Sequence, residues 1–231
     1  MNVCIIPARG GSKRINKKNI KNFAGKPIIK YSIDIALHSK LFDQVIVSTD
    51  NNEIAQLAKK FGAKIPFKRP DSISDDFSGI QAVITHGINF LRRENTEPKL
   101  ICCLLATAPF VKIENLIKGK NLLKKIKEDR FTFSATKYNF PIQRALSIDN
   151  KNLSHCLNEH KVKQRSQDLE EFFHDAGQFY WGTAKAWFSK KNIFEESMPI
   201  LLPSWQVQDL DTLEDWKRAE LMYMVNKKEE N

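Results

Sequence analysis

Three short apolar runs, each followed by a stretch of helical spacing, constrain this chain more than any other feature. Residues 3–8, 44–49 and 100–105 are rich in Val, Ile and Leu and too short for buried helices, so they read as strands buried on both faces. Residues 27–38, 53–61, 80–91 and 114–127 repeat apolar positions at the period of an amphipathic helix. Such alternation lays strands side by side in parallel and covers both faces with helices. The expected fold class is α/β, a mostly parallel sheet flanked by helices, and 231 residues fit a single domain.

The rhythm breaks after residue 131. β-prone pieces, a turn at Asp149 and Asn150, and an irregular polar stretch through Glu171 cannot make one strand–helix unit. Residues 139–178 are therefore expected as a segment inserted in the domain 1–231: a β-hairpin, a small lid or a dimerisation arm. Regular order returns over 178–182, with a short helix over 183–189, a last strand over 204–207 and a final helix over 213–225. Thr212 is the expected N-cap of that helix, with Asp215 three residues on. The polar tail 226–231 is expected to fray.

In open α/β sheets ligands bind beyond the carboxyl ends of the strands, so the loop after the first strand is the first place to look. It reads Arg9-Gly10-Gly11-Ser12-Lys13-Arg14-Ile15-Asn16-Lys17-Lys18-Asn19. Two glycines let backbone amides approach an oxygen closely. Ser12 offers a hydroxyl, and Arg9, Lys13 and Lys18 offer charge-assisted hydrogen bonds to phosphate. The set suits a triphosphate; a solvated basic turn is the bland alternative. It matches neither G-x-x-x-x-G-K-[ST] nor G-x-G-x-x-G.

Near the other end, Asp209-Leu210-Asp211 places two carboxylates two residues apart. In an extended segment both project to one side, where they suit Mg²⁺, an ion held by one or two carboxylates plus phosphate oxygens and water. Capping of the final helix is the alternative use of Asp211.

The formal net charge is +10, which attracts anions of any kind. A basic nucleic-acid-binding protein is the competing class, but neither a basic recognition helix nor an aromatic stacking motif is found. No apolar run reaches about 18 residues, so no membrane span is expected, and the first apolar run is too short for a signal segment. The expected location is the cytoplasm. Cys4, Cys102, Cys103 and Cys156 show no C-x-x-C spacing and read as reduced, structural thiols.

Ile6 through Arg14, followed by Lys18-Asn19, resembles the signature of the CMP-sialic acid synthetase family, and Asp209-Leu210-Asp211 is similar to its D-x-D element. The resemblance covers roughly residues 3–216. It implies a nucleotide-diphospho-sugar transferase fold of the glycosyltransferase A type. It also implies transfer of CMP from CTP to the anomeric hydroxyl of an acidic nine-carbon sugar, with Mg²⁺ as cofactor. By position, Arg9, Gly10, Gly11, Ser12, Lys13, Lys18 and Asn19 would hold the nucleotide, and Asp209 and Asp211 the metal. Arg9, Lys13 and Asp211 would be catalytic. The acceptor of the hydroxyl proton is not assigned; Asp211 is one candidate.

Further elements match the family. Val47-Ser48-Thr49-Asp50 resembles its S-T-D element, Asp50 serving there or merely capping the next helix. Arg69-Pro70 with Ser74 through Ser78 is similar to R-P-x-x-L-x-D, implying nucleotide contacts from Arg69 and Ser78. Leu104 through Pro109 stands for L-Q-P-T-S-P, which adds Thr107 and puts Leu105 where relatives have a base-reading Gln. Backbone groups would then have to read cytosine there. Arg165-Ser166-Gln167-Asp168-Leu169 resembles R-x-Q-D-L near the sugar, and Arg165 could clamp its carboxylate. Ala176 takes the place of a sugar-side Asn. Gln143-Arg144 and the run Asp175 to Trp181, with Tyr180, are most similar to the family's pseudaminic acid branch. Neuraminic, legionaminic and 3-deoxy-octulosonic acids are the alternative acceptors. The resemblance also implies a homodimer in which the inserted segment reaches the partner's site.

Overall fold

The computed structural model describes residues 1–76, 78–189 and 191–229. Its first half runs β1 (Asn2–Pro7), β2 (Asn22–Phe23), β3 (Lys26–Pro27), α1 (Ile28–His38), β4 (Gln44–Ser48), α2 (Asn52–Lys60), α3 (Ile80–Arg93), β5 (Leu100–Leu104) and α4 (Ile113–Leu122). The second half runs β6 (Phe131–Lys137), β7 (Leu146–Ile148), β8 (Ser154–Cys156), α5 (Glu159–Val162), β9 (Phe173–Thr183), α6 (Ala184–Phe188), β10 (Met198–Leu202) and α7 (Leu213–Glu229).

Six strands form one sheet in the order β10-β6-β9-β5-β1-β4. β1 pairs in parallel with β4 and β5, and β10 with β6, while β9 lies antiparallel to both its neighbours. The sheet is thus mostly parallel, as the alternation predicts. The period of two along each strand sorts the core into two layers. Cys4, Ile6, Cys102 and Leu104 pack with α1, α2 and α4 residues such as Ile33, Ile54 and Leu116. Val3, Ile5, Ile101 and Cys103 face Ile84, Ile88 and Trp187 from α3 and α6. Burial of Cys4, Cys102 and Cys103 matches their reading as small hydrophobes, whereas Cys156 is exposed on β8.

A third apolar cluster joins the two chain ends. Ile15 from the loop after β1 and Leu210 from the D-x-D segment are each 1% exposed and pack with Phe23, Tyr31, Phe110 and Trp216. Burying side chains of that size contributes about 1.5–3 kcal/mol each. This cluster brings the basic loop and the acid pair to one end of the sheet.

Two boundaries differ from the expectation. Residues 204–206 form a single 3-10 turn after Pro203, and the strand of this region is β10, five residues upstream. A sequence with Pro199 inside it reads poorly as a strand, but β10 is at the sheet edge, where Pro costs no ladder bond. The inserted region also ends sooner than residue 178, because β9 begins at Phe173. Between β6 and β9 the chain forms the small β7–β8 hairpin, whose six residues are all exposed. Asp149 builds its turn by accepting from the Lys151 and Leu153 amides. Among the described residues no helix is long and apolar enough to cross a membrane.

Candidate functional site

The loop after β1 is folded by contacts to its own ends and to β4. The Ala8 amide donates to Ser48 O, extending the β1–β4 ladder by one rung. Gly10 N–H then donates to Asp50 Oδ1 at 2.9 Å. Asp50 is thereby a brace for the loop, and the cap of α2 is Asn51, whose side chain accepts from the Glu53 and Ile54 amides. Gly10 lies so near Asn51 that an added Cβ would sit 2.9 Å from the Asn51 Cβ, which explains glycine there. The loop closes where buried Asn19 donates through Nδ2 to Arg9 O at 2.8 Å.

Loop and α3 enclose a cavity of about 290 Å³ at the carboxyl ends of the strands, where the strand order reverses about β1. Arg9, Ser12, Lys13, Lys18, Asn19, Arg69 and Ser78 all line it. Gly10, Gly11 and Thr107 do not: the glycines shape the loop, and half-buried Thr107 follows β5 outside this wall. Phe77, within the motif that carries Ser78, is outside the described residues.

Arg69 is the most unusual of these side chains. It is 4% exposed and donates to Ser48 O, while its Nε is buried without a hydrogen-bond partner. Burial depresses its pKa, partly opposed by the charge of Asp50. An unmatched buried cation in a cavity wall attracts an anion. Arg9 and Lys13 instead meet a carboxylate already present: Asp76 contacts Arg9 Nη1 and Lys13 Nζ, each at 2.5 Å.

Across the cavity mouth, Asp211 pairs with Arg14 at 2.7 Å and lies 3.6 Å from Lys18, whose Nζ also donates to Leu210 O. Asp209 accepts the Leu210 amide through Oδ1 at 2.8 Å, and its charge helps to raise the pKa of Asp175 and of Tyr180 in β9. Asp175 is a carboxylate that sequence reasoning did not single out. It accepts from Gly177 N–H and from the Tyr180 hydroxyl, and burial first, with the Asp209 charge behind it, holds its pKa above the ordinary range. Its signal was the lone acid in β9, four residues before the aromatic run Phe179 to Trp181. Among the described residues no three His, Cys, Asp or Glu side chains gather into a metal cage. A two-carboxylate Mg²⁺ site does not need one, so Asp209 and Asp211 fit that ion by donor chemistry.

The expected sugar residues fall into two groups. Ala176 and Tyr180 are buried in β9. Gln143, Arg144, Arg165 and Gln167 are on the inserted segment, where Arg144 donates to Gln164 O, Arg165 pairs with Asp168 and Gln143 donates to Glu170 O. Gln167 alone of these lines a second 290 Å³ cavity, together with Tyr138, Asn139 and Phe172. One chain does not bring the two groups together. The Leu105 amide is committed to Gln178 O, and its carbonyl accepts from Ser32, so the expected backbone reading of a base cannot rest on the Leu105 N–H.

These features define a nucleotide-binding α/β protein with an anion cradle, and the chain belongs to the cytidylyltransferase family, whose model matches residues 3–229. Within the family it is 44% identical to a pseudaminic acid cytidylyltransferase of Campylobacter jejuni, over 97% of each chain. It is 29% identical to a CMP-N,N'-diacetyllegionaminic acid synthase of Legionella pneumophila, again over 97% of each. A solved CMP-2-keto-3-deoxy-manno-octonic acid synthetase in complex with CTP has the same fold. Its TM-score is 0.69 at 14% identity, covering 97% of this chain and 99% of that one.

Proposed function

We propose that this chain transfers CMP from CTP to the anomeric hydroxyl of pseudaminic acid and releases pyrophosphate. The observation that carries the reading is the convergence of Arg9, Lys13, Lys18 and Arg69 on one cavity beyond the parallel strands. The 44% identical relative supports the choice of acceptor. The triphosphate lies along the Arg9–Asn19 loop, and the sugar hydroxyl attacks the α-phosphorus in line. Arg9 and Lys13 spread the charge of the departing pyrophosphate, while Arg69 fixes a phosphate oxygen from below. Catalysis is alignment and electrostatic preorganisation. When bound, Mg²⁺ supplies charge neutralisation between phosphate oxygens and protein. Asp209 and Asp211 would hold it, Asp211 exchanging its contact with Arg14.

The sugar site is completed in a homodimer. Phe140 is 84% and Leu157 73% exposed on the inserted segment, beside exposed Leu146 and Ile148. An apolar arm of this kind is normally covered by a partner. Arg144 or Arg165 of one protomer would then reach the sugar carboxylate at its neighbour's Tyr180 end. The enzyme works in the cytoplasm, where CTP is found. Incubation with CTP, Mg²⁺ and pseudaminic acid yields a CMP-linked sugar, detected by mass spectrometry. Asp209→Ala combined with Asp211→Ala yields none; near-normal product from that variant refutes the site.

A further inference from the structure

The phosphate cradle of this chain already contains an anion of its own. Asp76 divides its two oxygens between two cations, Oδ1 to Arg9 Nη1 and Oδ2 to Lys13 Nζ, each at 2.5 Å. Arg9 Nη1 also donates to Asp75 O at 2.9 Å, and Asp75 Oδ1 accepts from Ser78 N–H at 2.6 Å. Asp75, next to Asp76, is thus held both by Arg9 and by the Ser78 amide, and Asp75, Asp76 and Ser78 all line the cavity. Hydrogen bonds from Lys13 and then Arg9 hold the Asp76 carboxyl below its usual range, so it stays ionised at neutral pH.

We propose that Asp76 is a built-in competitor for phosphate: it occupies Arg9 and Lys13 when the cradle is empty, is displaced by a polyphosphate, and returns as pyrophosphate leaves. The inference rests on the reading of Arg9 and Lys13 as phosphate ligands. One carboxylate shared by two cations presents much the same pattern of acceptors as two phosphate oxygens. Because it is tethered within the same chain, its effective concentration does not fall on dilution. The competitor weakens substrate and product binding by the same factor. At equilibrium, less of a multiply charged product therefore stays bound than the bare cradle would hold.

The test is calorimetric titration with inorganic pyrophosphate at low salt, without divalent cations so that no metal links the acid pair to the ligand. The protein is the full chain, alongside Asp76→Asn, Lys13→Ala and the double variant. Two partly exposed ion pairs of modest strength set the expected gain of Asp76→Asn at about three- to tenfold tighter binding. In the Lys13→Ala background the same change gives a smaller gain, because one of its two cations is missing. Unchanged or weaker binding by Asp76→Asn, with Lys13→Ala still weakened, overturns the competitor while leaving the cradle intact. Pyrophosphate binding indifferent to Lys13→Ala overturns the cradle on which it rests. Matching melting curves for all four proteins assign these shifts to binding.

Discussion

Asp50 accepts the amide hydrogen of Gly10 at 2.9 Å, so the last residue of the S-T-D element at the end of β4 sets the conformation of the loop that leaves β1. A hydrogen bond to a charged acceptor is worth about 1.5–3 kcal/mol. Asp50→Ala should therefore release the loop and raise the KM for CTP by about tenfold, with a smaller change in kcat. Asp50→Asn, which keeps an acceptor, falls between the two. Steady-state kinetics at varied CTP check this, and a KM equal to that of the parent chain would show that the brace does not matter.

Gly10→Ala tests the same corner sterically. Its Cβ would lie 2.9 Å from both Cβ and Nδ2 of Asn51, the residue that caps α2. Overpacking of this kind costs about 1–3 kcal/mol, read as a lower melting temperature accompanied by weaker CTP binding. Gly11→Ala is the control, since nothing lies within 4 Å of its added Cβ; it should melt normally.

Arg69→Met separates stability from binding. The charge is buried, its Nε is unpartnered, and Ser48 O keeps the Ala8 amide after the change. Replacing a buried charge that Asp50 only partly compensates by an apolar side chain of similar length should leave the melting temperature equal or higher. CTP affinity should fall about ten- to a hundredfold, the range expected for charge-assisted hydrogen bonds. Thermal melts and CTP titration on one preparation give both values.

The N-terminus of α7 gives a pH-dependent prediction. Thr212 Oγ accepts from the Asp215 amide while Asp215 Oδ2 accepts from the Thr212 amide and hydroxyl, a reciprocal cap. The Thr212 hydroxyl, foremost, holds the Asp215 carboxyl below its ordinary range. A carboxyl lowered in the folded state stabilises fully above its unfolded pKa, and that contribution is lost as pH falls through the lowered value. Asp215→Asn should thus lower the melting temperature at neutral pH and match the parent chain in strong acid. Thr212→Ala should cost about 1 kcal/mol at neutral pH.

The alternating half of the fold was legible because β1, β4 and β5 are buried on both faces, and burial imposes unbroken apolar runs. The cap at Thr212 was legible for a local reason too, since both partners are three residues apart. β10 was not: it is a short edge strand with Pro199 and exposed Leu201, while Trp205 to Val207 offered a false alternation. The basic loop announced itself by composition, whereas Asp76 could not, because its partners Arg9 and Lys13 are more than sixty residues away and only folding joins them. Asp50 kept two uses open until the structure placed Asn51 at the cap. Arg144 and Arg165 were read as one site with Tyr180, and a single chain keeps them on separate elements.

The most direct test of the central claim is pyrophosphate release from CTP and Mg²⁺, with pseudaminic, N-acetylneuraminic and N,N'-diacetyllegionaminic acids run side by side. The account predicts release with pseudaminic acid at a kcat/KM well above that of the other two. Release confined to another acid would contradict the assignment of acceptor. No release with any of them, in a chain that still binds CTP, would contradict the transfer reaction itself.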